Sequence, residues 1–261
     1  MLTGKKRILL AGESWISAAT HIKGFDQFYS ASYHSGAEPL LKALAGGAFE
    51  VQHMPVHDCA AAFPLTMEQL RAYDAVILSD IGANTLLLHP DVWLHGKPVA
   101  NRLKLLRDWT AEGGGLVMAG GYLSFQGIDA KARWRRTAVE EALPVECLAY
   151  DDRIEVPEGF HPRITHTTHP IMKGLPREWP VLLGANEVTL RARPSCELLA
   201  TLPEDQGGHP LLAVGEWKRG RTVAWMSDIG PHWAPADFVN WSGYKSLWHN
   251  VLAWVTRLEG V

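Results

Sequence analysis

The sequence predicts an α/β fold with a mostly parallel central sheet flanked by helices. Through the first half of the chain, short apolar segments alternate with segments of helical periodicity, the pattern of repeated strand–helix units. The clearest strand is residues 116–119, an apolar run that lies between glycines at 113–115 and 120–121. Such a run is typical of a strand buried on both faces, and a glycine pair after it permits a sharp turn. After residue 127, strand-like segments dominate, which predicts an antiparallel C-terminal extension.

Buried strands are predicted at four places in the first half of the chain. They cover residues 7–11, 49–54, 74–78 and 116–119. Each is a short apolar run that ends in polar residues or glycine, as expected for strands of a parallel sheet. Residues 16–34 have no sustained period and are predicted to be irregular.

Three helices are predicted between these strands. Ser35-Gly36-Ala37-Glu38 has the spacing of a capping box and predicts a helix through residue 45. Thr66 begins a second capping box and a shorter helix. The third helix covers residues 98–112, where Pro98 suits the first turn and the apolar residues follow the helical period.

The second half of the chain is predicted to be rich in strands. Thr137 caps a short helix that ends at Pro144, and Ser242 is predicted to cap the last helix. Strand-like segments lie between them, at residues 145–150, 154–156, 187–191, 197–202, 210–217 and 221–226. The last two flank Lys218-Arg219-Gly220, a hairpin signal with glycine in the turn.

Composition places the chain among ordinary globular proteins. Its 261 residues carry a net charge of −3 and no extended basic cluster, so no nucleic-acid partner is predicted. No apolar run approaches the ~18 residues of a membrane span, so no membrane partner is predicted either. The three cysteines are widely spaced, as expected for a reducing cytoplasm. No Pro- or Ser-rich linker divides the chain, and residues 1–261 are predicted to form a single domain.

Four segments resemble the class I glutamine amidotransferase-like superfamily. They are residues 21–26, 113–127, 168–176 and 210–230. Within that superfamily the chain is most similar to the branch known only as putative glutamine amidotransferases, which are cousins of the ThuA-like proteins of trehalose utilisation. The resemblance extends over essentially the whole chain. It implies a flavodoxin-like sheet, with the site above the carboxyl ends of its strands.

The resemblance implies that an active amidotransferase needs a cysteine at the turn after the central strand. It also needs a histidine–glutamate pair after a later strand. Residues 119–124, which form that turn here, contain no cysteine. His232 follows the later strand, but no glutamate stands two residues beyond it. The sequence therefore predicts a member of the superfamily that does not hydrolyse glutamine.

Two identical tetrapeptides follow two predicted strands, and each contains an aspartate. They are Ser79-Asp80-Ile81-Gly82 and Ser227-Asp228-Ile229-Gly230. Carboxylates at the ends of parallel strands meet at one edge and can act as acid and base if their pKa values differ. The alternative is that each aspartate caps its own turn through backbone N–H groups. With His232 as a candidate base, Asp80 and Asp228 form the predicted catalytic set.

Six further residues are predicted to line the ligand site, because they follow the first, central or later strand. They are Glu13, Ser14, Tyr122, Ser124, Gln126 and Trp233. The alternative for each is a structural role, in turns for the acid and the hydroxyls and in packing for the others. Trp233, together with Trp241, would serve an oligomer interface equally well.

No metal and no cofactor is predicted. His53, His57 and Asp58 have side chains that suit zinc or manganese, but their spacing is a weak signal and no fourth ligand accompanies them. Cys59 beside them is interpreted as a small apolar side chain rather than a displaced thiol nucleophile.

The sequence supports three functions and leaves open whether the protein is an enzyme. The first is a cytoplasmic protein that binds or processes a small polar, sugar-like metabolite. The second is a hydrolase of sugar-like substrates in which Asp80, Asp228 and His232 supply acid and base. The third is a non-catalytic subunit whose tryptophan-rich C-terminal half docks a partner, a second copy of the chain included.

Overall fold

A computed structural model of the chain describes residues 4–258. Its strands, in chain order, are β1 (Lys6–Gly12), β2 (Ser14–Lys23), β3 (Asp26–Ser35), β4 (Phe49–Met54), β5 (Ala75–Ser79), β6 (Gly115–Ala119), β7 (Val145–Cys147), β8 (Arg153–Phe160), β9 (Arg163–Ile164), β10 (Leu182–Asn186), β11 (Val188–Leu190), β12 (Glu197–Thr201), β13 (Pro210–Trp217) and β14 (Gly220–Trp225).

Most helices of the chain are short. They are α1 (Glu38–Leu44), α2 (Val56–Ala62), α3 (Met67–Leu70), α4 (Ala83–Leu87), α5 (Pro90–His95), α6 (Arg102–Ala111), α7 (Ala138–Ala142), α8 (Ala236–Val239) and α9 (Ser242–Val255). Within the described range, none of these helices has the length and apolar character needed to cross a membrane.

One sheet organises the molecule, with the strand order β4-β1-β5-β6-β14-β13-β12-β9. The first five strands of that order run parallel, and the last three continue the sheet in antiparallel sense. The prediction of a mostly parallel sheet with an antiparallel C-terminal part is confirmed. β6 is central, because Val117 pairs with Ile77 on one side and Val223 on the other. All five of its residues are buried.

The carboxyl ends of four parallel strands are aligned at one edge of this sheet. Gly12 of β1 is opposite Ser79 of β5, Ser79 is opposite Ala119 of β6, and Ala119 is opposite Trp225 of β14. The residues that follow these four strands therefore meet at that edge, which we call the carboxyl edge. This register brings the two Ser-Asp-Ile-Gly segments to the same side of the sheet.

The prediction that residues 16–34 are irregular is wrong. β2 and β3 pair over ten residues each and form a separate two-stranded hairpin, closed by Gly24 and Phe25. Nearly all of its residues are exposed. Since neither face is buried against the body of the protein, the sequence lacks the alternation by which strands are recognised.

Helix boundaries show which caps were predicted correctly. The capping box at Thr66 is present, and Thr137 accepts a bond from the backbone N–H of Glu140. Ser35 does not cap α1 but ends β3, because this residue is still in the hairpin. Ser242 does not cap α9 but is its first residue.

The long helix before β6 begins later than predicted. α6 starts at Arg102, and Pro98 lies outside it. The side-chain oxygen of Asn101 accepts bonds from the N–H groups of Leu103 and Lys104, both at 3.1 Å. An asparagine cap satisfies two free donors of the first turn, which a proline cannot do.

Candidate functional site

Two acidic residues at the carboxyl edge have left-handed backbone conformations. Glu13, the residue after β1, has φ 53°, and Asp80, the residue after β5, has φ 44°. This region is uncommon for residues other than glycine and is maintained only where the surroundings enforce it. The effect here is to turn two carboxyl groups sharply at the ends of adjacent strands, above the sheet.

Gly121, after β6, is the point at which the acids converge. Its φ is 133°, and a methyl group placed on its Cα would lie 2.9 Å from Oδ1 of Asp228 and 3.0 Å from Oδ1 of Asp80. The two carboxylate oxygens are therefore at most 5.9 Å apart, the sum of those distances. Only glycine leaves the space that both carboxylates share.

The side chains of Asp228 and His232 are in hydrogen-bonding contact at this edge. Nδ1 of His232 lies 3.0 Å from Oδ2 of Asp228, which also accepts a bond from the backbone N–H of Trp233 at 3.0 Å. The side chain of Asp228 is 7% exposed, whereas that of His232 is 49% exposed. This pair therefore reaches solvent through the imidazole.

Glu13 occupies the buried side of the cluster. Burial, followed by the negative charges of Asp80 and Asp228, raises the pKa of Glu13 to about 8. Its Oε2 accepts a bond from Oγ of Ser79 at 2.5 Å, which lowers that pKa only in part. Near neutral pH, Glu13 is consequently a neutral acid that carries a proton.

The pKa values of Asp80 and His232 are both raised, for different reasons. Burial raises the pKa of Asp80 to about 6, against the bond that its Oδ1 accepts from Leu123 N–H at 2.7 Å. Burial alone would lower the pKa of His232, but its bond to Asp228 and the surrounding carboxylates raise it overall. The pKa values of Glu13 and Asp80 thus both lie above the ordinary range of a carboxyl group, beside the paired side chains of Asp228 and His232.

Aromatic and charged side chains border the exposed imidazole. The ring of Tyr122 meets that of His232 edge-on at 4.4 Å, and the Arg153 guanidinium lies 4.9 Å from the Tyr122 ring. Burial raises the pKa of Tyr122. Trp233 is fully buried and donates its indole N–H to Oε2 of Glu155 at 2.9 Å. Tyr122 and Trp233 are the two predicted aromatic ligand contacts. Tyr122 is partly accessible to solvent, whereas Trp233 lies beneath the surface.

Arg153 and Glu155, both on β8, were not predicted as site residues. β8 pairs with β10 in a separate two-stranded sheet, which brings these side chains to the carboxyl edge. A signal exists in the sequence, since polar Arg153 and Glu155 alternate with apolar Ile154 and Val156. They are distant along the chain from the ends of the four parallel strands, so the sequence did not indicate that they belong to the site.

Three predicted ligand contacts bond the backbone of the protein itself. Oγ of Ser14 accepts from Val56 N–H at 2.9 Å, and Oγ of Ser124 accepts from Asp80 N–H at 3.1 Å. Gln126 is buried, and its Oε1 lies 3.4 Å from the N–H of Arg135. These side chains fix the loops that carry the acids, and Ser124 in particular ties the loop after β6 to Asp80.

A buried amide clamps the glycine turn and was also not predicted. Asn186, at the end of β10, accepts from Gly121 N–H at 3.0 Å and donates to the Gly121 carbonyl at 3.2 Å. Its amide also donates to Oδ1 of Asp152 at 2.8 Å, and burial raises the pKa of Asp152 to about 6. This clamp holds the backbone of Gly121 where the two aspartates converge.

The residues considered for a metal or a thiol lie elsewhere in the structure. His53 belongs to β4 and its Nε2 lies 3.0 Å from the Gly12 carbonyl, whereas His57 and Asp58 are on α2. Within residues 4–258, no cluster of three or more His, Cys, Asp or Glu side chains has a metal-binding arrangement. Cys59 is buried and donates to the Met54 carbonyl at 3.3 Å, and burial raises the pKa of its thiol to about 12.

The arrangement is suited to binding hydroxyl groups and to moving protons. Carboxylates accept hydrogen bonds from a ligand's hydroxyls, and a neutral carboxylic acid also donates one. Groups whose pKa values are pushed apart in one site can serve as acid and base. The cluster of Glu13, Asp80, Asp228 and His232 supplies both kinds of group at the edge where ligands of open α/β sheets bind.

Comparison with known proteins agrees with this fold and with the resemblance seen in the sequence. Residues 7–257 match the family described as "Putative glutamine amidotransferase". Among curated proteins, none matches the chain. Two solved structures of Salmonella typhimurium are similar over nearly their whole length, and both proteins are named only as cytoplasmic.

Cytoplasmic protein STM3548 is 39% identical, with a TM-score of 0.89, and the match covers 95% of this chain and 98% of that one. Cytoplasmic protein STM1381 is 41% identical, also with a TM-score of 0.89, over 95% of this chain and 99% of that one. A ThuA-like protein of Parabacteroides merdae has a TM-score of 0.59 at 13% identity, over 99% and 93% of the two chains, a likeness of fold alone.

Proposed function

Because the chain belongs to the putative glutamine amidotransferase family, we propose that its carboxyl edge binds a small polar, sugar-like metabolite, without hydrolysing glutamine. The observation that carries the proposal is the convergence of Asp80 and Asp228 at Gly121, with half-exposed His232 on one of them. This geometry favours a ligand site over two independent turn caps, since Oδ1 of Asp80 bonds the loop after β6 rather than its own turn, and Oδ1 of Asp228 faces Gly121 while Oδ2 accepts from Trp233 N–H. A cytoplasmic location is proposed with it, on the strength of the two Salmonella relatives.

In this proposal each group has a stated task. Asp80 and Asp228 accept hydrogen bonds from hydroxyl groups of the ligand. His232 and Tyr122, which reach solvent, contact the ligand as it enters, and Glu13 supplies a proton from the buried side. Arg153 and Glu155 border the entrance and would contact polar parts of a larger ligand.

Proton transfer to the ligand is the second candidate function, and one observation favours it. The raised pKa values of Glu13 and Asp80 lie beside the Asp228–His232 pair, so a donor and an acceptor of protons coexist near neutral pH. In a hydrolase of sugar-like substrates, His232 paired with Asp228 would be the acid, because its pKa is raised, and Asp80, with a pKa of about 6, would be the base. Turnover of a bound sugar with a bell-shaped pH dependence would distinguish this function from binding alone.

The binding site is tested with Asp228→Asn. The asparagine oxygen can still accept from Trp233 N–H, so the melting temperature should change little, while the loss of the charge should abolish ligand binding. Binding would be measured by thermal shift against a panel of hexoses, pentoses, sugar alcohols and sugar acids, with calorimetry for each hit. The matched control is Asp108→Asn, an exposed aspartate on α6, which should bind as the wild type does.

Two results would contradict the proposal. If Asp228→Asn lowered the melting temperature strongly, Asp228 would be a turn residue rather than a ligand contact. If a hit from the panel bound wild type and Asp228→Asn equally well, the ligand would lie away from the carboxyl edge.

The chain should release no ammonia from glutamine above the buffer background. The turn after β6 carries Gly120 and Gly121 where a nucleophilic thiol would be needed, and the raised pKa of Cys59 keeps that thiol protonated. A coupled assay for ammonia measures this directly. Release that disappears in Cys59→Ala would show that the protein uses this thiol and would overturn the prediction.

A further inference from the structure

The β2–β3 hairpin, residues 14–35, stands apart from the central sheet and lacks an evident reason to be stable alone. It forms its own two-stranded sheet, and nearly every residue after Ser14 is exposed. An isolated two-stranded hairpin is at best marginally stable in water, and exposed strand edges favour pairing with other chains. We call this segment the arm.

The cross-strand register divides the arm into two faces of different chemistry. Paired residues of antiparallel strands point to the same side, and neighbours along a strand point to opposite sides. One face, here called the apolar face, is formed by the pairs Ile16–Tyr33, Ala18–Ala31, Thr20–Tyr29 and Ile22–Gln27. It carries no charged residue, and the two alanines form a low central strip between larger side chains.

On the opposite face, the aromatic rings stack on neighbouring side chains of the arm. Trp15 stacks on His34 with ring centres 5.2 Å apart, and His21 stacks on Phe28 at 4.4 Å. Lys23 lies 5.8 Å from the centre of the Phe28 ring. Each of these rings is stacked within the arm, and this face also carries the two charged side chains, Lys23 and Asp26.

The large side chains of the apolar face are more exposed than those of the opposite face, where Trp15 is 43% and Phe28 50% exposed. Ile16 is 63% exposed, Ile22 71%, Tyr29 71% and Tyr33 53%. Aromatic side chains bury about 150–250 Å² each when covered, so this face with Phe25 at the tip offers several hundred square ångströms, of the order of the ~800 Å² per partner in a standard interface. Exposed apolar patches of that size are typical of interaction sites.

Charge indicates which partner fits. The only side chains of formal charge in the arm are Lys23 and Asp26, which are paired across the turn on the opposite face. Two apolar faces can therefore approach each other without like-charge repulsion, whereas a strongly charged partner would find no complementary group. A flat, neutral, apolar ribbon is complementary to an identical ribbon.

We propose that the apolar face of the arm is the contact between two copies of this chain, packed face to face about a two-fold axis near the Ala18–Ala31 pair. The small alanines allow the two ribbons to approach closely at the axis, and the isoleucines and tyrosines on either side interdigitate. A two-fold axis uses the same patch twice, so each residue of the face is buried in both copies.

The arm also connects this contact to the candidate site. Glu13 immediately precedes β2, and its carbonyl accepts a bond at 3.1 Å from the N–H of Gly36, the residue after β3. Tyr33 of the apolar face meets His57 of α2 edge-on at 5.5 Å, which fixes the base of the arm on the body of its own chain. Dimerisation therefore holds the segment from which Glu13 emerges.

The chain offers a matched pair of variants to test this proposal. Ala18→Glu places a carboxylate on the apolar face, and by symmetry places two of them near the axis. Ala19→Glu makes the same change one residue later, on the opposite face. Sedimentation over a range of protein concentrations should show a dimer for wild type and for Ala19→Glu, and a monomer for Ala18→Glu.

A cross-linking experiment tests the proposed contact through the formation of a new bond, so a variant that merely fails to fold cannot imitate the expected result. Ala18→Cys should form an oxidised, disulfide-linked dimer on a non-reducing gel, whereas Ala19→Cys should not. A wild-type chain that is monomeric at all concentrations would overturn the proposal. Equal behaviour of the two glutamate variants, or linkage through Ala19→Cys, would overturn it too.

Discussion

Val117→Asp is expected to unfold the protein. Val117 is in the middle of β6, wholly buried, with Ile77 and Val223 as its neighbours on the adjacent strands. A carboxyl group there has no hydrogen-bond partner, and an uncompensated buried charge costs several kcal/mol, a large share of a typical ~5–15 kcal/mol stability. Because β6 connects the parallel and antiparallel parts of the sheet, we expect residues 1–261 to unfold together as one domain.

The control for this variant is Val117→Ala. It removes apolar contacts without adding a polar group, so it should cost about 1–3 kcal/mol and still melt cooperatively. Circular dichroism and thermal unfolding measure both variants. A soluble Val117→Asp protein with a cooperative melt would mean that β6 is not the buried centre of the sheet.

The parallel sheet was predictable because strands buried on both faces have a recognisable sequence pattern. Strands covered on both faces read as unbroken apolar runs, and their boundaries are marked by glycine and polar residues, as at 113–115 and 120–121. The C-terminal hairpin was predictable for a related reason, since Gly220 follows a two-residue turn between two apolar segments.

The arm was not predictable in this way, because it buries neither face. The local signal was present nonetheless: Gly24 has φ 64°, the sign that a two-residue type II′ turn requires at its first position. A stretch of β-branched, aromatic and small residues on both sides of such a glycine indicates a hairpin even without alternation.

Most of the candidate site was predictable, and the reason is topological. Glu13, Asp80 and Asp228 each follow a strand of one parallel sheet, so sequence position alone places them at one edge. Arg153, Glu155 and Asn186 reach the same edge from a separate two-stranded sheet, whose position depends on tertiary packing. No local pattern relates β8 and β10 to the turn at Gly121.

Replacing Glu13 by glutamine should remove a pH-dependent cost to stability. In the folded protein the pKa of Glu13 is raised from 4.5 to about 8, chiefly by burial. Between these two values the unfolded chain has released this proton and the folded chain has kept it. The unfolded state therefore binds fewer protons, and the free energy of unfolding falls as pH rises through this interval.

Glu13→Gln cannot titrate, so it should lack that part of the pH dependence. Near pH 4.5 its stability should be close to that of the wild type, because the glutamine oxygen can accept the same bond from Oγ of Ser79. Near pH 8 it should be more stable than the wild type by a few kcal/mol, since each pKa unit corresponds to about 1.4 kcal/mol. The raised pKa of Asp80 acts with the same sign between 3.8 and about 6 and remains in the variant.

Urea unfolding of both proteins at a series of pH values between 4.5 and 8 measures the difference. Glu50→Gln, an exposed glutamate on β4, provides the control and should follow the wild type at every pH. A Glu13→Gln variant whose advantage does not grow with pH would mean that Glu13 is already ionised in the folded protein. The same variant keeps the shape of the site but has no proton to give, so retained ligand binding with lost turnover would assign Glu13 to proton transfer rather than to binding.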